Sequence, residues 1–121
     1  LVSDVEQALA AGHTLITERA VHERGMQWVL DQIPNGASYL ITIDYDGFDV
    51  TCCPAVSHPE PGGLSYHEGV ALLEGLARKG RIAGMIWAEL VPEHDHFGLT
   101  ARTTGRLILT TIHAMAESGQ I

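Results

Sequence analysis

The stretch "YLITIDYDGFD", residues 39–49, places Asp44, Asp46 and Asp49 at the end of an apolar run. Side chains alternate faces along a strand, so Asp44 and Asp46 share a face if the extended backbone persists to Asp46. In an open α/β sheet, the carboxyl end of a buried strand is where ligands bind. Two carboxylates that close repel unless one is protonated or a positive group lies between them. A divalent cation removes the conflict, because it takes oxygen ligands. Gly47 would let the backbone turn sharply. Aspartates also end strands as turn formers and helix caps, and Asp-x-Asp alone leaves both readings open.

Other residues invite chemistry and have a plainer reading beside it. His58 lies in the following loop and could line a pocket. His94, Asp95 and His96 form a His-x-His half-site, or Asp95 caps and braces its loop, which is the reading preferred. Glu68 follows Ser65 at capping-box spacing, so capping accounts for it. Cys52 and Cys53 are adjacent, a spacing that strains a mutual disulfide. Nothing basic enough to lower their pKa stands beside them.

The elements that must position these residues follow from periodicity. A capping box at Ser3 to Glu6 opens a first helix, with Val2, Val5 and Leu9 at helical spacing, ending near Gly12. Residues 13–17 suit a short strand. A helix over 18–33 carries Met26, Val29, Leu30 and Ile33 on one stripe, and Pro34-Asn35-Gly36 stops it. A strand over 38–43 is almost continuously apolar, as in parallel sheets covered on both faces. A Gly/Pro-rich loop over 47–63 leads to a helix ending at Gly80. A strand over 82–90 and a helix over 100–117, with Ile108, Ile112 and Met115 inward, complete the chain. Strands alternating with helices imply right-handed crossovers and an α/β fold: three layers, a mostly parallel sheet and helices on both faces.

The chain has 121 residues, 45% hydrophobic and 18% charged, with formal net charge −8. That composition suits one globular domain. The charge argues against nucleic acid and anionic membrane as partners, and suits a cationic substrate. No run is long enough to span a bilayer. No leader-like segment is visible, and two adjacent cysteines are no disulfide framework. A cytoplasmic setting is expected. The first residue is Leu rather than Met, as in a fragment or a processed chain.

The order of motifs resembles the arginase/agmatinase (ureohydrolase) family. "TIDYDGFDVTCCPAVSHPEPGGLSYHEG" matches that family's S-x-D-x-D-x-x-D-P segment, its Pro-rich loop and its G-G-L helix start, at Asp44, Asp46, Gly47, Asp49, Pro54, Pro59, Gly62, Gly63 and Leu64. "GMIWAELVP" resembles the strand ending in E-x-x-P, with Glu89 and Pro92 in place, and "DHFGLTA" is close to an agmatinase-like "DHAEITA". The resemblance implies an arginase-like fold and a site with two Mn²⁺. Asp44 and Asp46 would be metal ligands, Asp46 the catalytic one of the pair, and Glu89 would receive the guanidinium of a small substrate. The implied activity is agmatinase-like hydrolysis of a linear guanidino compound to urea and an amine, in a homo-oligomeric parent.

The match also has gaps. The family's G-G-D-H and D-A-H-x-D segments, which carry the remaining metal ligands, are not in the chain. Val50 replaces the Pro after the third Asp, and "AVSHP" places His58 where Thr is common. Residues 1–121 therefore read as the C-terminal part of a single ureohydrolase domain, inactive by itself. A non-catalytic fragment serving subunit association, and a Mg²⁺-dependent phosphotransfer domain, are the competing readings. The second needs a Lys or Thr where Glu89 stands.

Overall fold

The computed structural model describes residues 2–121, the side chain of Val2 excepted. The Val2 position of the first apolar stripe therefore lies outside the described side chains. The chain forms two compact units, 1–33 and 34–121.

In the first unit, α1 (Val2–Ala10) is followed by α2 (Glu18–Arg24) and α3 (Met26–Asp31). Ser3 lies inside α1 instead of capping it. Residues 13–17 form no strand, and Thr17 instead caps α2 by accepting from the Ala20 N–H. The expected single helix over 18–33 is two, because Gly25 takes φ 80°, a conformation that ends an α-helix and suits glycine. The apolar stripe begins at Met26, just past the break, so α3 carries Met26, Val29 and Leu30, and Ile33 lies beyond its end.

The second unit runs β1 (Ser38–Asp44), a single 3₁₀ turn (Tyr45–Gly47), α4 (Tyr66–Lys79), β2 (Arg81–Ala88), two further 3₁₀ turns and α5 (Leu99–Glu117). The strands β1 and β2 pair in parallel as a two-stranded sheet, with Ile41 opposite Met85, Ile43 opposite Trp87 and Asp44 opposite Ala88. Helix α4 starts in a complete capping box between Ser65 and Glu68. It packs along α5 and closes a crossover between two parallel strands, the α/β arrangement.

One face of the sheet, with Ile41, Ile43, Met85 and Trp87, packs on a core built around Tyr45, Phe48, Cys53, Val56, Leu73 and Leu107. The other face is not covered by this unit's own helices: Leu40 and Ile86 are 69% and 50% exposed.

The core face of α5 differs from the expected one. Ile112 is exposed, whereas Thr100, Thr103, Leu107, Thr111 and Ala114 are buried. A buried hydroxyl is costly without a partner, and each of these threonines has one. Thr111 Oγ1 donates to Leu107 O (2.7 Å), Thr103 Oγ1 donates to Cys52 O (3.0 Å), and Thr100 Oγ1 accepts from Ala55 N (3.0 Å). Thr100 and Thr103 thereby fasten the loop over 52–55 to the helix.

Candidate functional site

β1 ends at Asp44, whose backbone is still extended (φ −94°, ψ 128°). The extension does not persist to Asp46, as face sharing by alternation requires. The chain turns at once into 3₁₀ geometry, and Asp44 Oδ1 accepts the N–H of Asp46 (3.2 Å). Asp44 is thus the cap of a short turn, the competing reading of the motif, and Asp46 rides on that turn. Gly47 is not among the glycines with positive φ, and a side chain there would meet nothing within 4 Å.

Between the two acids, Tyr45 is 3% exposed. Its ring lies 5.7 Å from that of Trp87 on β2, and its hydroxyl is 2.7 Å from Thr104 Oγ1 on α5. Thr104 Oγ1 also lies 2.8 Å from Thr100 O. A threonine has one hydroxyl proton and a carbonyl can only accept, so Tyr45 donates to Thr104 and Thr104 donates to Thr100 O. Burial pushes the Tyr45 pKa up. A neutral phenol therefore anchors the turn to both the sheet and α5.

Asp46 Oδ1 is buried with no hydrogen-bond partner, the single side-chain atom of that kind among the described residues. Leaving a carboxylate oxygen so costs several kcal/mol unless a donor or cation satisfies it. Asp49 is used differently. Its Oδ1 accepts from the N–H (2.9 Å) and hydroxyl of Thr51, and its Oδ2 accepts from the N–H of Gly62 (2.7 Å). It braces the loop. The same loop is stitched to the turn by Asp49 N to Leu64 O and Leu64 N to Gly47 O, both 2.9 Å. Gly63 makes this approach possible: a Cβ there would lie 2.6 Å from Asp49 N and closer still to the carbonyl carbon of Phe48.

Glu89 follows directly on Ala88, the β2 partner of Asp44. Adjacent strands lie about 4.8 Å apart, so the backbone register brings Glu89 to the same sheet edge as Asp44 and Asp46. Glu89 is exposed and takes φ 68°, one of two non-glycine residues with positive φ among those described. Strain of that kind costs about 1–3 kcal/mol and gathers at functional sites. The segment beyond is fixed by Val91 N donating to Ala55 O (2.9 Å) and by His94 Nδ1 lying 3.1 Å from Val56 O.

Asp95 and Glu68 take their structural readings. Asp95 accepts from Thr100 N (2.9 Å) and Ala101 N (3.0 Å) at the start of α5. Burial works to raise its pKa, but those backbone donors outweigh it and hold the carboxyl below the usual range. Glu68 completes the α4 capping box. His58 and His96 are exposed. Cys52 and Cys53 are free thiols. Burial pushes Cys53 up to about 12 and raises Cys52 as well, so both stay protonated. Among the described residues no group of three or more His, Cys, Asp or Glu side chains could hold a metal ion. Two carboxylates at one edge, one with an orphaned oxygen, fit one side of a metal site and not a full coordination shell.

Sequence reasoning passed over Tyr45 and Thr104 and named Gly63 only as a position of the family match, yet these three set the turn. The available signal was the aromatic residue held between two aspartates just past a largely apolar strand.

The profile of the arginase family matches residues 2–114. An N(1)-aminopropylagmatine ureohydrolase of Thermus thermophilus is 37% identical over 93 residues, covering 74% of this chain and 31% of that protein. A formimidoylglutamase of Streptococcus pyogenes is 28% identical over 114 residues, covering 91% and 35%. The agmatine ureohydrolase structure of Thermoplasma volcanium superposes with TM-score 0.76 at 26% identity, over 87% of this chain and 35% of that one. The chain thus spans about a third of the length of the curated relatives it matches. Family profile, relatives and fold agree, and the chain belongs to the arginase family.

Proposed function

We propose that this chain supplies one part of a manganese-dependent ureohydrolase site that hydrolyses a linear, agmatine-like guanidino compound to urea and an amine. In this reading residues 1–121 are the C-terminal part of a single ureohydrolase domain. The carrying observation is the orphaned, buried Asp46 Oδ1 beside Asp44, on the sheet edge that also bears Glu89. Asp44 and Asp46 would hold the metal, and ligands beyond these two come from outside the described residues. Two Mn²⁺ ions, when bound, supply Lewis acidity and lower the pKa of water.

The chain's own residues do the rest. Glu89 accepts paired N–H bonds from the planar guanidinium, a geometry that a carboxylate matches well. Its position one residue past the end of β2 orients the guanidino carbon toward the aspartate pair. Tyr45, clamped by Trp87 and Thr104, keeps the turn from relaxing toward solvent. The net charge of −8 favours approach of a cation. A soluble, cytoplasmic homo-oligomer belongs to the same proposal.

Two measurements test it. Adding the chain to Mn²⁺ should attenuate the free-ion electron paramagnetic resonance signal, and the Asp46→Asn variant should not. Equal attenuation by both would show that Asp46 is no ligand. The chain with Mn²⁺ should release no urea from agmatine, guanidinobutyrate or arginine, because its ligand set is incomplete. Turnover would remove the argument that ligands are supplied from elsewhere.

A further inference from the structure

A second feature, with two arginines in its wall, lies between Thr51 and Cys52 of the loop and the first half of α5. A cavity of about 350 Å³ is lined by Cys52, Tyr66, Leu99, Arg102, Thr103 and Arg106, among others. Its size falls in the range of roughly 300–1,000 Å³ that holds small molecules. We propose that it binds a small organic oxyanion, a phosphate or carboxylate carrying an apolar body.

The argument starts from the two arginines. They are one helical turn apart on α5, at i and i+4, so they share a face. Arg102 is held in place: its Nε donates to Gly98 O (3.3 Å) and its Nη2 to Phe97 O (2.6 Å). Asp95 is the carboxylate that faces it, and both oxygens of Asp95 are already engaged by backbone N–H groups. Arg106 makes no hydrogen bond or ion pair among the described residues. This is not for want of acids, since the chain has 15 Asp and Glu against 7 Lys and Arg.

The other cations of the unit have ordinary explanations. Arg78 pairs with Glu74 at 3.6 Å. Arg78 and Lys79 sit in the last turn of α4, where the helix dipole favours positive charge, and Arg81 follows just beyond it. Arg102 and Arg106 lie in the first half of α5, where the dipole gives cations no support. Their guanidiniums are planar forks suited to oxyanions. Leu99, the Tyr66 ring and the protonated Cys52 thiol supply apolar wall beside them. A bare ion would leave that wall unused, and an aryl or alkyl body would cover it.

The site is independent of the metal reading, and its test uses the 121-residue chain. Phenyl phosphate and benzoate carry the same body on different heads, and each is titrated while backbone amide resonances are followed at constant ionic strength in chloride. Saturable shifts at Cys52, Tyr66, Arg102 and Arg106 are expected. Arg106→Gln should weaken the apparent affinity at least tenfold. Arg81→Gln, the same charge change beyond the end of α4, should weaken it less than twofold. Tighter binding of one probe assigns the head group as phosphate or carboxylate. Shifts that never saturate, or equal weakening in both variants, would overturn the proposal, the latter by reducing the effect to overall charge.

Discussion

Replacing Gly63 by Ala tests whether the acid-bearing turn is held by backbone approach. The new Cβ would sit 2.6 Å from Asp49 N, well inside contact distance, and the atom it meets is backbone and cannot rotate away. Gly63 is not among the glycines with positive φ, so the effect is steric alone. Relief requires the 62–64 segment to leave the 47–49 turn. That breaks Asp49 N to Leu64 O, Leu64 N to Gly47 O, and Gly62 N to Asp49 Oδ2. At about 1 kcal/mol net for each bond, the cost is on the order of 3 kcal/mol. For a domain of this size that lowers the melting temperature by roughly 10–15 °C. Gly47→Ala is the control, because its Cβ meets nothing within 4 Å; it should be neutral or stabilise by up to about 1 kcal/mol. Urea denaturation followed by far-ultraviolet circular dichroism measures both. If Gly63→Ala lies within about 0.5 kcal/mol of the parent, or if the two variants behave alike, the turn is not held in this way.

Three further outcomes follow from strain and titration. Glu89→Gly relieves a left-handed conformation worth about 1–2 kcal/mol and gives back about 0.5–1 kcal/mol of chain entropy, so it should match or exceed the parent in stability, whereas Glu89→Ala keeps the strain; denaturant midpoints separate them. Asp95 has a folded pKa below its unfolded one, so its stabilisation is present above the unfolded value and disappears as pH falls through the folded value. Asp95→Asn should therefore lower stability near neutrality, and its deficit should shrink below about pH 4. Cys53 is raised to about 12, so its contribution is intact below the unfolded thiol value and lost as pH climbs from there to about 12; Cys53→Ala should flatten that alkaline decline in unfolding free energy.

Elements were legible where hydrophobic pattern and capping chemistry coincide. β1 announces itself as a continuous apolar run, and α4 by Ser65 and Glu68 at the right spacing. The pattern misled where a polar residue is internally satisfied. Of the greasier stripe of α5, Met115 packs against a core cluster but Ile112 is exposed, and threonines at 100, 103 and 111 are buried instead. Their small hydroxyls reach a helix carbonyl or the adjoining loop, a fact of tertiary contact that hydropathy does not carry. Gly25 was a visible break signal inside an amphipathic stretch, and its positive φ decided the outcome.

The acids themselves show the same division. Their types and spacing suggested an oxygen site, but the reasoning relied on strand alternation, and the chain abandons extension at Asp44. What keeps Asp46 at the edge is a buried phenol one residue earlier, fixed to Trp87 and Thr104. The turn therefore separates two tasks that alternation would have merged. Asp44 spends one oxygen on the backbone of Asp46. Asp46 keeps an oxygen buried and unanswered. A strand continuing through Asp46 would have sent Tyr45 to the opposite face from both acids, and the anchor that makes the unanswered oxygen sustainable would be lost.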